Sequence, residues 1–204
     1  MIAIIDYGVG NLFSLCSSLK MIGAEAVVTG DENVIKNADK IILPGVGAFG
    51  DAIEKLKQTG LDRVVKEEAA RGKDIMGICL GMQLLFEKSS EYGEHEGLGL
   101  LKGNIVGMEG RLPAELKIPH IGWNQLHFVK DCYLLSGIRE NDCVYFVHSF
   151  YAEDCEESLV ATAEYGKELT AMVQKDNVMG CQFHPEKSGS VGLAILKAFF
   201  EGKK

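Results

Sequence analysis

Asp74-Ile75-Met76-Gly77-Ile78-Cys79-Leu80-Gly81-Met82-Gln83-Leu84-Leu85-Phe86 sets an apolar strand before a helix, with a cysteine at the turn between them. Glycines stand two residues before and two residues after Cys79. A sharp strand-to-helix turn that presents a nucleophile needs small residues there, because neighbouring backbone comes very close. A helix N-terminus behind Cys79 favours the thiolate, against a free-thiol pKa of about 8.5. A space-filling cysteine needs none of this. A nucleophile in this setting calls for a base, an orienting acid and an oxyanion site elsewhere in the chain.

Outward from this turn, strands and helices alternate. Ile2 to Asp6, Glu25 to Val28, Lys40 to Leu43 and Asp74 to Ile78 read as strands. Leu12 to Ile22, Ala48 to Gln58 and Leu61 to Arg71 have helical spacing, with Ile53, Leu56, Val64 and Val65 on apolar faces. The helix after the turn is expected to run from Leu80 to Lys88. The second half is richer in strands: Asn104 to Gly107, Gln125 to Val129, Cys143 to Val147, Leu159 to Ala163 and Val178 to Gln182. An amphipathic helix from Ser190 to Glu201 closes the chain. This alternation predicts an α/β fold, one domain over residues 1–204, with a mostly parallel sheet covered by helices on both faces. Ligands in such sheets sit beyond the carboxyl ends of the strands. Asp6, Pro44-Gly45-Val46-Gly47 and Cys79 all fall at such ends.

Two further segments carry chemistry. In Cys181-Gln182-Phe183-His184-Pro185-Glu186-Lys187-Ser188, His184 and Glu186 stand two apart. In an extended segment they project to one side, and Pro185 favours that geometry at His184. His184 then serves as base and acid for a thiol, and Glu186 orients the imidazole and stabilises its charged form. Pro44-Gly45-Val46-Gly47-Ala48-Phe49-Gly50 follows a strand and opens a helix, so free N–H groups line its turn. Those groups suit an oxyanion, with the N–H of Leu80 as second donor. They also suit a phosphate, although the Gly-Lys-Ser/Thr ending of a phosphate loop is missing. On residue type alone, Gln83 reads equally as a helix-surface amide, Glu91 as a solvated carboxylate, and Trp123 and Tyr145 as core aromatics.

Composition narrows the classes. The chain has 204 residues, 47% hydrophobic and 25% charged, with a net charge of −8. The acidic balance argues against a non-specific nucleic-acid binder. No apolar run reaches the roughly 20 residues of a membrane span, and the start has no basic region or cleavage site of a secretory signal. The six cysteines show no Cys-x-x-Cys spacing and no histidine cluster, so no metal site and no cofactor is expected. Free thiols fit a reducing compartment, and a cytoplasmic location is the expectation.

Pro-Gly-Val-Gly-Ala-Phe-Gly, Gly-Ile-Cys-Leu-Gly-Met-Gln and Gln-Phe-His-Pro-Glu-Lys-Ser, in this order, resemble the class I triad glutamine amidotransferases over essentially the whole chain. Asp6 to Asn11, Pro119 to Asn124 and Tyr145 to Ser149 narrow the resemblance to the glutaminase subunits of imidazole glycerol phosphate synthases. Other glutaminases of the class, serving anthranilate, guanylate, carbamoyl phosphate or pyridoxal phosphate synthesis, are the alternative. The resemblance implies a flavodoxin-like fold and hydrolysis of L-glutamine through a Cys79 thioester, with Cys79, His184 and Glu186 catalytic. It implies oxyanion donors at Val46 or Gly47 and Leu80. Gln83 would hold the substrate's α-carboxylate or amino end, Glu91 its α-ammonium, and His148, Ser149 and Phe150 would line the other wall. It implies a (β/α)₈ barrel partner that receives the ammonia, docked at Asn11, His120, Trp123, Asn124, Tyr145, His148 and Lys187. No nucleic acid or membrane partner is implied.

Overall fold

The structure, a computed structural model, describes residues 1–202. The last two residues of the expected 1–204 domain lie outside that range. The strands are β1 (Ile2–Ile5), β2 (Ala26–Thr29), β3 (Lys40–Gly45), β4 (Asp74–Cys79), β5 (Phe86–Ser89), β6 (His95–Glu96) and β7 (Leu101–Gly107). They continue as β8 (His120–Gln125), β9 (His127–Phe128), β10 (Cys143–His148), β11 (Phe150–Glu153), β12 (Leu159–Glu164), β13 (Glu168–Lys175) and β14 (Val178–Cys181). The helices are α1 (Leu12–Met21), α2 (Glu32–Asn37), α3 (Phe49–Gln58), α4 (Leu61–Ala70), α5 (Leu80–Leu84) and α6 (Gly189–Glu201).

β4 is buried on both faces, and its side chains alternate between two cores. Ile75 joins Leu56 of α3 and Val64 and Val65 of α4. Met76 and Ile78 join Leu15 and Leu19 of α1 and Ile195, Leu196 and Phe199 of α6. Each such aliphatic side chain contributes about 1.5–3 kcal/mol when fully buried. The main sheet runs β2-β1-β3-β4-β14-β13-β12-β9. From β2 to β14 neighbours are parallel, as alternating strands and helices require, while β13, β12 and β9 add antiparallel strands. The expected α/β architecture therefore holds. A four-stranded sheet (β11-β7-β5-β6) and a two-stranded ribbon (β10-β8) flank it.

Two expected elements differ, and others appear that the sequence did not announce. The helix after the elbow stops at Leu84, and the chain continues as β5. Its end is set by the 97–101 loop: Leu98 donates to the Leu84 carbonyl at 2.8 Å, Leu100 to Leu85 at 2.8 Å and Gly99 to Phe86 at 3.0 Å. The run from Gln125 to Val129 is two strands, because Leu126 turns into the core between the ribbon and the main sheet. α2, β11 and β13 were not anticipated. α2 starts on Asp31, whose Oδ1 accepts from Asn33 N at 2.7 Å, the usual N-cap arrangement.

The elbow is packed to its limit. A Cβ on Gly81 would lie 1.8 Å from the Leu43 carbonyl oxygen, and one on Gly77 would lie 2.6 Å from Gly81 and Met82 backbone. Neither obstacle is a flexible side chain, so β3, β4 and α5 approach each other only through these glycines. Gly81→Ala is expected to cost about 3 kcal/mol or more, lowering the melting temperature by roughly 10 °C in a chain of this size. Calorimetry checks this, and an unchanged melt would contradict the packing argument.

Candidate active site

Cys79 ends β4 with φ 54° and ψ −114°, a left-handed conformation that a non-glycine residue rarely adopts. The strain is stored at the junction because Gly77 and Gly81 leave no room for a relaxed path. The turn places Cys79 on a cavity of about 370 Å³ together with Val46, Gly47, Leu80, Gln83 and Glu91. His148, Ser149, Phe150, His184 and Lys187 line the same cavity, as do Tyr92, Pro119 and Val147. Every expected substrate-wall residue thus faces one space at the carboxyl ends of β3 and β4.

His184 follows β14 and is buried. Its Nδ1 lies 2.7 Å from Glu186 Oε1. The pair does not form across an extended segment, as the sequence suggested. His184 itself is extended, but Pro185–Lys187 is a single 3₁₀ turn that folds Glu186 back onto the ring. Ser188 fixes this turn: its Oγ donates to the His184 carbonyl at 2.6 Å and accepts from Tyr145 N at 3.0 Å. Glu186 Oε2 has no hydrogen-bond partner among the described residues.

Burial alone would lower the His184 pKa, but hydrogen bonds to Cys79 and Glu186, and their negative charge, raise it to about 9. At neutral pH this ring is an imidazolium beside the sulfur. Its histidine neighbours behave oppositely. Burial lowers His120 to about 4 and His148 to about 3. His148 Nδ1 lies 2.8 Å from the Phe150 carbonyl, which only accepts, so that nitrogen carries the proton. His120 Nδ1 then donates to His148 Nε2 at 3.1 Å. Both side chains are buried beneath the β8–β10 ribbon in this chain alone. Their aromatic stacking against Phe146 and, for His120, Tyr165 draws them inward.

Gln83 is buried on α5, and its Nε2 donates to the Phe150 carbonyl at 3.1 Å and to Gln182 Oε1 at 2.9 Å. Both donors are committed, which leaves Oε1 for a ligand. An acceptor suits an ammonium and not a carboxylate, so of the two expected contacts the geometry fits the amino end. Glu91 is a second acceptor there. Its Oε2 takes the Phe49 N–H at 2.7 Å, and burial, the largest influence, raises its pKa. The same bond caps α3, tying Glu91 to the Val46–Gly47 turn that precedes that helix. Tyr7 anchors this turn from below, its hydroxyl donating to the Pro44 carbonyl at 2.8 Å.

Around the mouth, Trp123 and Ile121 are more than half exposed. The Trp123 ring packs edge-on against Tyr145, over which the Lys187 ammonium sits at 5.8 Å from the ring centre. Asn11 is half-buried at the start of α1. Asn124 is engaged internally, donating to the Glu164 carbonyl at 2.7 Å. Asp6 is exposed and holds its own glycine turn through Gly8 N at 3.1 Å, apart from the cavity. Among the described residues no group of three or more His, Cys, Asp or Glu is arranged to hold a metal. Sequence reasoning missed Gln182 and Tyr92. Gln182 sits inside the Gln-Phe-His-Pro-Glu motif, where the pattern of apolar neighbours gave no sign of its buried contacts.

A thiol on a strained strand-to-helix turn, backed by a His–Glu pair and walled by two acceptors, fits an amide-cleaving cysteine site. The chain belongs to the class I glutamine amidotransferase family, whose profile matches residues 3–202. Within it, the chain is 54% identical to the imidazole glycerol phosphate synthase subunit HisH of Caldanaerobacter subterraneus, over 98% of each chain. It is 50% identical to the subunit of that name from Aquifex aeolicus, over 96% of this chain and 94% of the other. Solved structures share the fold at low identity. A glutamine amidotransferase aligns with TM-score 0.76 at 19% identity, covering 98% of both chains. PurLQS from Thermotoga maritima aligns with TM-score 0.74 at 21%, covering 98% of this chain and 97% of the other.

The raised His184 pKa has a testable consequence. The imidazolium is complete below the free value of about 6.5 and is lost as pH rises through about 9. Nuclear magnetic resonance should find His184 titrating near that value. Cys79→Ala should move the titration to lower pH, because the sulfur is one of the groups that raises it. A titration unmoved by the substitution would show that the sulfur and the ring do not interact.

Proposed function

We infer that this chain is the glutaminase subunit of an imidazole glycerol phosphate synthase, the enzyme named for its relatives of about half identity. The observation that carries the chemistry is the Cys79 sulfur beside a His184–Glu186 pair, on a cavity with two acceptors suited to an α-ammonium. Cys79 Sγ attacks the side-chain amide carbon of L-glutamine. Val46 or Gly47 and Leu80 offer N–H groups to the oxyanion. His184 gives its proton to the leaving nitrogen, the C–N bond breaks, and ammonia departs, leaving a glutamyl thioester. His184, now neutral, takes a proton from water, whose oxygen displaces the sulfur and yields glutamate. Glu186 stabilises the charged ring through both halves. No cofactor enters this sequence.

Ammonia is the useful product, and a (β/α)₈ barrel synthase subunit is its proposed recipient in a heterodimer. The proposed docking face is the exposed Trp123 and Lys187 with the half-buried Tyr145, together with Ile121 and Asn11. Aromatic and cationic side chains at an exposed rim are the usual anchors of such contacts. This face is joined to the site through main chain: His184 N donates to the Tyr145 carbonyl at 3.0 Å. A partner pressing on β10 therefore bears on the histidine. Cys16, Cys79, Cys143, Cys155 and Cys181 are in no disulfide, and no described helix is long and apolar enough to cross a membrane. Thiols outside disulfides agree with the proposed cytoplasmic location.

With the barrel subunit and its nucleotide substrate, Cys79→Ala should abolish glutamine-dependent synthesis and leave ammonia-dependent synthesis intact. Undiminished glutamate release by that variant would overturn the assignment. The isolated chain should hydrolyse glutamine slowly and accelerate when the partner and its nucleotide bind, as a coupled assay reads. Trp123→Ala should weaken the complex by about tenfold or more, measured by calorimetric titration, without changing the melt of the free chain.

A further inference from the structure

The Cys79 sulfur has a second polar neighbour. Gln182 Nε2 lies 3.8 Å from Sγ, within reach of an N–H···S hydrogen bond. The orientation of that amide follows from contacts around it. The Phe150 main-chain carbonyl only accepts, so the Gln83 atom 3.1 Å away is the Nε2 donor. The same Nε2 lies 2.9 Å from Gln182, so the Gln182 atom there is Oε1. The other end of the amide, facing the sulfur, is therefore the NH₂ group. Gln182 is fully buried, and a donor to an anion counts for more away from water.

The elbow creates a need for such a donor. α5 is only five residues long, so its dipole is a weak support for negative charge on Cys79. We propose that the Gln182 side-chain amide donates to the Cys79 sulfur, stabilising its thiolate and fixing its direction of attack. The proposal rests on the glutaminase reading for its purpose but not for its geometry. Gln182 and His184 come from one segment and reach the same sulfur, while Phe183 between them is buried in the core beside Phe146. Gln83 holds the amide from behind, and its own Nε2 is fixed on the Phe150 carbonyl. The ligand-binding glutamine and the sulfur-binding glutamine are thus one hydrogen-bonded unit. The adjacent buried thiol, Cys181, does not compete: burial first, then the charges of Glu186 and Cys79, push its pKa up.

Two variants separate donation from packing. Gln182→Met removes the donor at similar length, and Gln182→Glu keeps the shape but turns the donor into an acceptor. Iodoacetamide labelling of the full chain, read at the Cys79 peptide by mass spectrometry, gives the pH midpoint of thiolate formation. Both variants should move that midpoint up by about one pH unit, the scale of one charge-assisted hydrogen bond. In the complex with the synthase partner, kcat for glutamine hydrolysis should fall by about tenfold on the same scale, with KM nearly unchanged. Circular dichroism establishes which variants are folded, and a single folded variant decides the matter. An unchanged midpoint in a folded variant overturns the proposal. Failure of the wild-type complex to hydrolyse glutamine would strike the functional reading and leave the labelling comparison standing.

Discussion

The site depends on one backbone constraint, the left-handed turn at Cys79. A cysteine at φ 54° carries strain of the order of 1–3 kcal/mol, and it persists because the surroundings leave no alternative. Gly81 sits against the Leu43 carbonyl, Gly77 sits beneath α5, and a Cβ on Gly45 would lie 2.7 Å from Gly81 N. Three neighbouring parallel strands, β3, β4 and β14, are thereby brought to one level. Their carboxyl ends deliver the Pro44–Gly47 turn, the thiol and the Gln182–His184 segment respectively. Catalytic geometry is a by-product of sheet register, and the register is fixed by cores that cover both faces.

Charge is distributed with similar economy. Three of the five histidines lie around the cavity and its ribbon, and of these only His184 has neighbours that outweigh burial and favour its cation. His120 and His148 stay neutral, so their hydrogen bonds have fixed direction: His120 to His148, and His148 to the Phe150 carbonyl. That carbonyl also receives Gln83. A line of fixed donors runs from beneath the ribbon to the ligand side of the cavity. A main-chain bond from His184 N to the Tyr145 carbonyl gives a second connection from the same ribbon. The exposed face of the ribbon and the cavity are therefore mechanically continuous.

Much of this was legible in the residues. The elbow glycines, the apolar runs of β1, β3, β4 and β14 and the turn at Pro44–Gly47 are local signals, and local signals survive into the fold. What failed were features decided by distant partners. Leu80 to Lys88 has helical spacing, but the 97–101 loop captures the carbonyls that would continue the helix. The run from Gln125 to Val129 looks like one strand, but its two halves pair with different sheets. His184 and Glu186 do meet, through a 3₁₀ turn that period-two spacing does not describe. The burial of His120 and His148 depends on partners from other segments, Phe146 and Tyr165, which sequence spacing does not reveal. β13 is a different case: Leu169 to Val173 is an apolar run of central-strand type, and nothing in its sequence hides it.

The central claim is that Cys79 is a nucleophile matched to a glutamine side chain. Covalent labelling with an electrophilic glutamine analogue, read by intact mass and peptide mapping, tests it most directly. One adduct on Cys79, slowed by excess L-glutamine and lost in His184→Ala, is the predicted result. Absence of an adduct, or labelling of the exposed Cys143 with Cys79 untouched, would contradict the account.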